Sequence, residues 1–200
     1  MKKIIYLISP NKIAENFYKD LDKVLSFKNV KFFQLRLKNT KIYNFKKIII
    51  KIKKITKKHN VVFILNDNYF LANKIRVDGC HMGQFDGSFK IARKKLNNKI
   101  LGITCHNSKK LALNAVKFKA DYIALGSFFK SKLKPNAKKA KLNFLKWSKT
   151  NIKKPIVAIG GINNLNYKKF IKSGAKYIAI SSYIWDNPKL KPEIAIKKFK

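Results

Sequence analysis

Acidic residues are scarce in this chain of 200 residues: nine are Asp or Glu against 47 Lys or Arg, giving a formal net charge of +38. Two of the nine, Asp67 and Asp86, each follow a short apolar run that is rich in strand-forming residues. Two carboxylates that join water and phosphate oxygens are a common way for a protein to hold Mg²⁺. This pair therefore predicts a magnesium site that handles a phosphorylated molecule.

Cysteines and long apolar runs are also rare. Cys80 and Cys105 are the only cysteines, and each precedes a histidine. Neighbouring residues on a strand point to opposite faces, so buried, reduced thiols are expected rather than a zinc site. No apolar run reaches the ~18 residues of a membrane span, and Pro10 ends the N-terminal run too early for a secretory signal. We expect one cytoplasmic domain over residues 1–200, with no membrane partner.

The positive charge has two explanations. Phosphate neutralisation by basic side chains drives nucleic-acid binding, which makes a nonenzymatic nucleic-acid-binding protein one hypothesis. However, only Arg36, Arg76 and Arg93 are arginines, and the lysines are spread along the whole chain. Lys, Ile and Asn share A/T-rich codons, so a base-composition bias explains the profile without a specific nucleic-acid partner.

Short strand-like runs alternate with lysine-rich amphipathic segments. The runs cover residues 3–9, 32–37, 61–66, 79–82, 100–104, 122–125, 156–159 and 177–180. Between them, the spacing of Ile48, Ile49, Ile52 and Ile55 predicts a helix. Residues 111–116 predict another, with Leu111, Leu113 and Val116 on its buried face. Eight strand–helix units predict a single α/β domain with a closed parallel sheet, a (β/α)₈ barrel. A doubly wound open sheet is the alternative.

In such a barrel, the residues at the carboxyl ends of the strands form the site. Gln34, Arg36 and Lys38 alternate along the second run, so they share the face that points into the barrel mouth. Inward-facing charges need partners, and with few acids available an anionic ligand fits better than a salt-bridge network. The loop after the sixth run and the Gly160-Gly161 turn predict phosphate contacts. Asp78 and Asp121 precede strands and are expected to stabilise turns at the opposite end.

Taken in order, these strand ends resemble the thiamine-phosphate synthase family, which also includes thiazole tautomerases. The resemblance runs from Tyr6 to about Ile184 and rests on six motifs. These are Gln-Leu-Arg-x-Lys, Asn-Asp, His-x-Gly-Gln-x-Asp, Gly-x-Thr-Cys-His, Gly-Ser-x-Phe and Val-Ala-Ile-Gly-Gly-Ile. It implies a barrel enzyme that condenses hydroxymethylpyrimidine diphosphate with a (carboxy)thiazole phosphate. The products would be thiamine phosphate and pyrophosphate, and Mg²⁺ would be the cofactor.

The resemblance also implies a role for each matching position. The residues that would hold the pyrimidine diphosphate are Gln34, Arg36, Lys38, Asn66, Thr104 and Lys134, of which Arg36, Thr104 and Lys134 would be catalytic. Asp67 and Asp86 would bind Mg²⁺. The residues that would surround the thiazole phosphate are Ser131, Lys132, Leu133, Gly161, Ser181 and Ser182. The partners would be small phosphorylated substrates, and the sequence leaves a homo-oligomer open.

Three departures from the family pattern stand out. Leu37 replaces a glutamate, at a position expected to point away from the site. Thr104 replaces a serine and keeps its hydroxyl. Leu133 replaces a threonine, which removes a hydroxyl beside the thiazole substrate at a cost on the order of 1 kcal/mol. The main alternative activity is thiazole tautomerisation, which needs no metal and could use His106 as its proton carrier.

Overall fold

The computed structural model describes residues 3–37, 42–129 and 140–200. Within these ranges, eight parallel strands pair in chain order and close into a barrel, each neighbouring pair in parallel register. The strands are β1 Ile5–Ile8, β2 Val30–Leu35, β3 Val62–Asn66, β4 Gly79–Met82, β5 Ile100–His106, β6 Tyr122–Leu125, β7 Ile156–Ile159 and β8 Tyr177–Ile180. The predicted (β/α)₈ barrel is confirmed.

Helices follow the strands and cover the outside of the barrel. In the described part of the chain they are α1 Phe17–Leu25, α2 Ile42–Lys58, α3 Tyr69–Lys74, α4 Phe89–Leu96, α5 Lys109–Lys117, α6 Leu142–Asn151, α7 Tyr167–Lys172, α8 Ser182–Trp185 and α9 Pro192–Lys197. Three of them begin at a side-chain cap, where Asn68, Ser88 and Ser108 accept a backbone N–H three residues ahead. Such caps satisfy donors that the first helical turn leaves unpaired.

The core has two layers separated by the barrel wall. One apolar cluster lies between the strands and the helices. The second fills the barrel interior with aromatic rings, where Tyr6 stacks on Phe32 and Tyr177 meets Phe32 edge to face. These rings close the lower half of the barrel, so the polar side chains at the carboxyl ends of the strands lie on a solid apolar floor.

The N-terminal end of the barrel is fastened by the two acids expected there. Asp78 Oδ2 accepts the backbone N–H of Phe63 at 2.7 Å. Asp121 Oδ2 accepts the backbone N–H of Leu101 at 2.8 Å and a guanidinium N–H of Arg93 at 2.9 Å. Each acid thus joins the start of its own strand to the preceding strand, so the prediction that they stabilise turns at this end is confirmed.

One expectation about the helices is wrong. Leu113, expected on a buried face with Leu111 and Val116, is 52% exposed, whereas those two are half-buried and pack against the core. The fully buried residues of α5 are Ala112 and Ala115. Small side chains let this helix lie close to β5, so the helix turns its alanine stripe inward and leaves the larger leucine in solvent. None of the helices in the described ranges combines the length and hydropathy that crossing a bilayer requires.

Candidate active site

The ends of β1, β2 and β3 bring an amide pair and an arginine to the barrel mouth. Gln34 is buried inside the barrel, and its Nε2 donates to Asn66 Oδ1 at 2.7 Å. The half-buried Arg36 follows two residues later on the same face, and Ser9 Oγ accepts its backbone N–H at 3.0 Å. Leu37 packs in the outer cluster, as expected for a residue that points away from the mouth.

Asp67 and Asp86 lie in two tight turns at the ends of β3 and β4. Asp67 has a φ of 67° and its N–H donates to the carbonyl of His81 at 2.7 Å. Asp is one of the few residues other than glycine that occupies this left-handed region readily. Asp86 Oδ2 accepts the backbone N–H of Gly83 at 2.6 Å, which folds its carboxylate back over the end of β4.

Thr104 and His81 form the centre of the site. Thr104 lies near the end of β5, half-buried, with its Oγ1 at 2.7 Å from His81 Nε2. The other ring nitrogen of His81, Nδ1, lies 2.9 Å from the hydroxyl of Tyr122. The side-chain amide of Gln84 donates to the Thr104 carbonyl and ties the loop after β4 to β5.

Burial and nearby charges shift the pKa values of two residues of β4. Burial lowers the pKa of His81 to about 4, while the charge of Asp86 acts against this shift and that of Arg36 adds to it. Burial likewise raises the pKa of the Cys80 thiol, and Asp67 and Asp86 raise it further. Arg36 and the two carboxylates, which follow three different strands, therefore act on neighbouring side chains of a single strand, β4.

The loops after β6 and β7 pack tightly against each other at two glycines. Gly160 and Gly161 have φ values of 103° and 68°. A Cβ at Gly160 would lie 2.0 Å from Ser127 Oγ, and one at Gly161 would lie 2.5 Å from the Cβ of Phe129. Glycine is required here because the loops after β6 and β7 touch, and this contact explains both residues without a ligand. The predicted contact of Gly161 with phosphate stays a prediction.

Ser181 and Ser182 follow β8 at the same end of the barrel. The hydroxyl of Ser181 donates to the carbonyl of Ser9 at 3.0 Å, so it links β8 to β1. Ser182 is exposed and begins the short helix α8. Five predicted site residues lie outside the described part of the chain: Lys38, Ser131, Lys132, Leu133 and Lys134.

Sequence reasoning missed the residues that support this site from inside the barrel. In the sequence, His81 stands out only beside Cys80 and within a family motif, and Tyr6 and Tyr122 only as members of strands. The three are brought together by closure of the barrel, with the hydroxyls of Tyr6 and Tyr122 2.6 Å apart. A sequence clue existed in the alternation along β4 and β6, which places His81 and Tyr122 on the inward face.

His106, the proton carrier of the tautomerase hypothesis, is the last residue of β5. It is exposed at the end of β5, with a φ of 50°, beyond a register shift between Thr104 and His106. The histidine inside the barrel is His81.

The donor set for a metal ion is small. Across residues 3–37, 42–129 and 140–200, no group of three or more His, Cys, Asp or Glu side chains is arranged to hold a metal. Asp67 and Asp86 can supply carboxylate oxygens, so an ion there would need further oxygens from water and substrate. Mg²⁺ is usually held in this way, through one or two carboxylates and substrate phosphates.

Fold and site together define a class. A closed parallel barrel whose strand ends carry an arginine, an amide pair, two carboxylates and a hydroxyl is a (β/α)₈-barrel protein with its site at the carboxyl face. Comparison with known proteins gives the family. The protein-family model described as thiamine monophosphate synthase matches residues 5–184 of this chain. The chain belongs to that family.

Individual relatives agree with this assignment. A thiamine-phosphate synthase of Pelagibacter ubique is 54% identical over 202 residues, covering 100% of this chain and 97% of that protein. One from Erythrobacter litoralis is 37% identical, covering 90% of this chain and 87% of its own. The solved structure of a thiamine phosphate pyrophosphorylase from Pyrococcus furiosus matches with a TM-score of 0.88 at 25% identity, over 98% and 93% of the two chains. The chain is thus an enzyme of the transferase class.

Proposed function

We propose that this protein condenses hydroxymethylpyrimidine diphosphate with a (carboxy)thiazole phosphate to give thiamine phosphate and pyrophosphate. The observation that carries the proposal is the hydrogen-bonded Gln34–Asn66 pair, with Arg36 two residues beyond Gln34 and the Asp86 carboxylate folded back over the end of β4. The barrel mouth thus offers a cation for the diphosphate, a carboxylate for a metal and amides for the heterocycle. A tautomerase has no need of the first two.

The reaction is a dissociative substitution at the pyrimidine methylene carbon. The carbon–oxygen bond to the diphosphate breaks, and its electron pair leaves with pyrophosphate. The carbocation-like pyrimidine that remains is attacked by the lone pair of the thiazole nitrogen. Arg36 stabilises the charge that develops on the departing oxygens, and this is the kind of interaction that lowers a barrier.

The amide pair orients the pyrimidine. Gln34 Nε2 donates to Asn66 Oδ1, which leaves the Gln34 carbonyl and the Asn66 amide to pair with the substrate ring. His81 is neutral near pH 7 because burial holds its pKa at about 4. A neutral imidazole places no positive charge beside the forming cation, so the histidine does not oppose ionisation.

Magnesium fits the two carboxylates, and we assign it to Asp67 and Asp86. One oxygen of Asp86 is engaged by Gly83 N–H, so this residue can offer its second oxygen. When bound, Mg²⁺ would neutralise charge on the diphosphate. Lys38 and Lys134 would assist at the same oxygens, and Lys134 together with Arg36 and Thr104 makes up the proposed catalytic set.

The thiazole phosphate is proposed to lie between the loops after β6, β7 and β8. Gly161, Ser181 and Ser182 come from the described part of this region, and Ser131, Lys132 and Leu133 complete the set. Leu133 offers no hydroxyl, so the acceptor is expected to bind more weakly than with a threonine, by about fivefold for a hydrogen bond worth ~1 kcal/mol.

The test is pyrophosphate release from hydroxymethylpyrimidine diphosphate, with and without thiazole phosphate, in Mg²⁺ and in EDTA. Release that requires both Mg²⁺ and the thiazole, with thiamine phosphate formed in equal amount, supports the proposal. A folded protein that releases no pyrophosphate but isomerises a thiazole phosphate would be a tautomerase. Sequence-independent DNA binding that is lost at high salt, together with no turnover of the substrates, would support the nucleic-acid hypothesis.

We further propose a cytoplasmic location, which is supported by two buried thiols that form no disulfide. Sedimentation of the purified protein would decide whether it is a homo-oligomer.

A further inference from the structure

A continuous hydrogen-bonded run crosses the barrel interior from its floor to its mouth. It joins Tyr6 to Tyr122 at 2.6 Å, Tyr122 to His81 Nδ1 at 2.9 Å, and His81 Nε2 to Thr104 Oγ1 at 2.7 Å. Tyr6 and Tyr122 are only 2% and 1% exposed, so bulk water cannot satisfy their hydroxyl hydrogens. The hydrogens of the run must therefore be arranged among these four side chains.

Two directions let each group along the run donate and accept in turn. A third arrangement, in which the Tyr122 oxygen accepts from both Tyr6 and Nδ1–H, leaves the buried Tyr122 hydroxyl hydrogen without an acceptor. In the first, Tyr6 donates to Tyr122, Tyr122 donates to His81 Nδ1, and His81 Nε2–H donates to Thr104. In the second, every bond is reversed: Thr104 donates to Nε2, Nδ1–H donates to Tyr122, and Tyr122 donates to Tyr6. A ring nitrogen that accepts a hydrogen bond carries no hydrogen, so in each direction the ring holds one N–H and is neutral.

The two directions differ at Tyr6. In the second, the Tyr6 hydroxyl hydrogen needs an acceptor, and within the described ranges Tyr122 is its one hydrogen-bond partner. That arrangement leaves a buried donor unsatisfied, which is the costly case. In the first direction every hydroxyl hydrogen of the interior has an acceptor, and the hydrogen left over is that of Thr104, at the mouth.

We propose that Tyr122, whose hydroxyl accepts from Tyr6, is a positioning residue that fixes the Nε2–H tautomer of His81 and so turns the Thr104 hydroxyl outward as a hydrogen-bond donor to the departing diphosphate. The catalytic part of this inference rests on the proposed function. Thr104 accepts from His81 and donates to the leaving group, and its bond to the substrate strengthens as negative charge develops there. The phenols never touch the substrate.

The two tyrosines are a matched pair for testing this. Tyr6→Phe removes the far end of the run but leaves Tyr122, whose hydroxyl hydrogen then has His81 Nδ1 as its acceptor. Tyr122→Phe removes the partner of Nδ1 itself, so Thr104 becomes able to donate to Nε2 instead. Both changes delete one buried hydroxyl and keep the ring, so they serve as controls for each other's effect on folding.

The first measurement is the tautomer of His81 by ¹⁵N NMR of histidine-labelled protein. Only three histidines are present, so His81 is assigned by comparison with a His81→Gln variant. We expect a protonated Nε2 and an unprotonated Nδ1 in the wild type and in Tyr6→Phe, and a mixture in Tyr122→Phe. A protonated Nδ1 in the wild type would overturn the proposal whatever the activity of the protein.

The second measurement is a double-mutant cycle on kcat with Thr104→Val. Tyr122→Phe is expected to lower kcat roughly five- to tenfold, the effect of about one hydrogen bond, and Tyr6→Phe less than twofold. In the Thr104→Val background, Tyr122→Phe should change kcat no further. An equal loss in both backgrounds would show that Tyr122 acts through packing and would refute the inference.

Failure of the proposed function has a different signature. A wild-type protein with Nε2 protonated but without pyrophosphate release would refute the synthase assignment and the donation to diphosphate. The direction of the hydrogen-bonded run would still be supported by the NMR result.

Discussion

Gly102 lies directly beneath the ring of Tyr122, and a Cβ at position 102 would come within 2.0 Å of the tyrosine Cζ. The two residues are register partners on β5 and β6. The missing side chain on β5 therefore makes the space in which the Tyr122 ring lies parallel to His81, with centroids 5.6 Å apart and planes 14° apart. A glycine in the barrel wall thus sets the position of the histidine that contacts Thr104.

Replacing Gly102 with alanine should displace the Tyr122 ring and destabilise the barrel. Overpacking of this kind costs about 1–3 kcal/mol in the free energy of unfolding, which urea denaturation would measure. The double variant Gly102→Ala/Tyr122→Leu should lose less than the sum of the two single changes, because the clashing ring is gone. Strictly additive losses would mean that the glycine is needed for a reason other than the ring.

Stability should fall as the pH drops from about 6.5, the ordinary pKa of an unfolded histidine, to about 4, the pKa of His81 in the fold. In this window the unfolded chain binds a proton that the native chain does not, so acid favours unfolding. The loss is on the order of 3 kcal/mol and levels off below pH 4, where the native ring is also protonated. Denaturant midpoints measured across this range would check it.

The matched control for this pH effect is His81→Gln, which should show a flatter profile between pH 6.5 and 4. Asp22 acts in a separate window. Hydrogen bonds from Lys58 and His59 lower the pKa of its carboxyl. The contribution of Asp22 to the free energy of unfolding is therefore present above its unfolded pKa of about 3.9. It is lost only as the pH falls further. Identical slopes for wild type and His81→Gln would contradict the assignment.

Asp86→Asn and Asp67→Asn should each remove Mg²⁺-dependent turnover while leaving the fold intact. Asparagine keeps the oxygen that accepts Gly83 N–H and tolerates the left-handed backbone of position 67. We expect pyrophosphate release to fall roughly 100-fold or more, with partial recovery at high Mg²⁺. Asp20→Asn, on the outer helix α1, is the control and should behave as wild type. Full activity in either test variant would remove that residue from the metal site.

Asp78→Ala should destabilise the protein without affecting catalysis. It deletes the acceptor of the Phe63 N–H at the closed end of the barrel, at a cost of about 1–3 kcal/mol. Asp78→Asn retains an acceptor oxygen and should recover most of that loss. Measurements of thermal unfolding and of kcat would check this prediction. A lower kcat for the folded alanine variant would contradict it.

Much of the fold follows from local pattern. The predicted limits of β4, β6, β7 and β8 agree with the structure at both ends, because each apolar run begins after a polar or proline-containing turn and stops at another. β1 begins later than expected, β2 begins two residues earlier and stops two residues earlier, and β5 continues to His106. These ends depend on pairing with neighbouring strands, which a single run does not reveal.

The site residues, like the strand limits, follow partly from local pattern and partly from pairing between strands. Alternation along β2 was enough to place Gln34 and Arg36 on one inward face, and the positions of Asp67 and Asp86 after apolar runs were enough to place both at the mouth. Which side chains touch was decided by closure of the barrel. Gln34 meets Asn66 across 32 positions, and Tyr6 meets Tyr122 across 116.

The sequence by itself therefore determined the alternation of strands and helices and which side chains of a strand share a face, because these depend on the period of the apolar pattern. The tertiary structure decided which partner each polar group finds. Hydrogen bonds require separations of about 3 Å, and a separation of that size between distant strands is fixed only when the sheet closes and its apolar core packs.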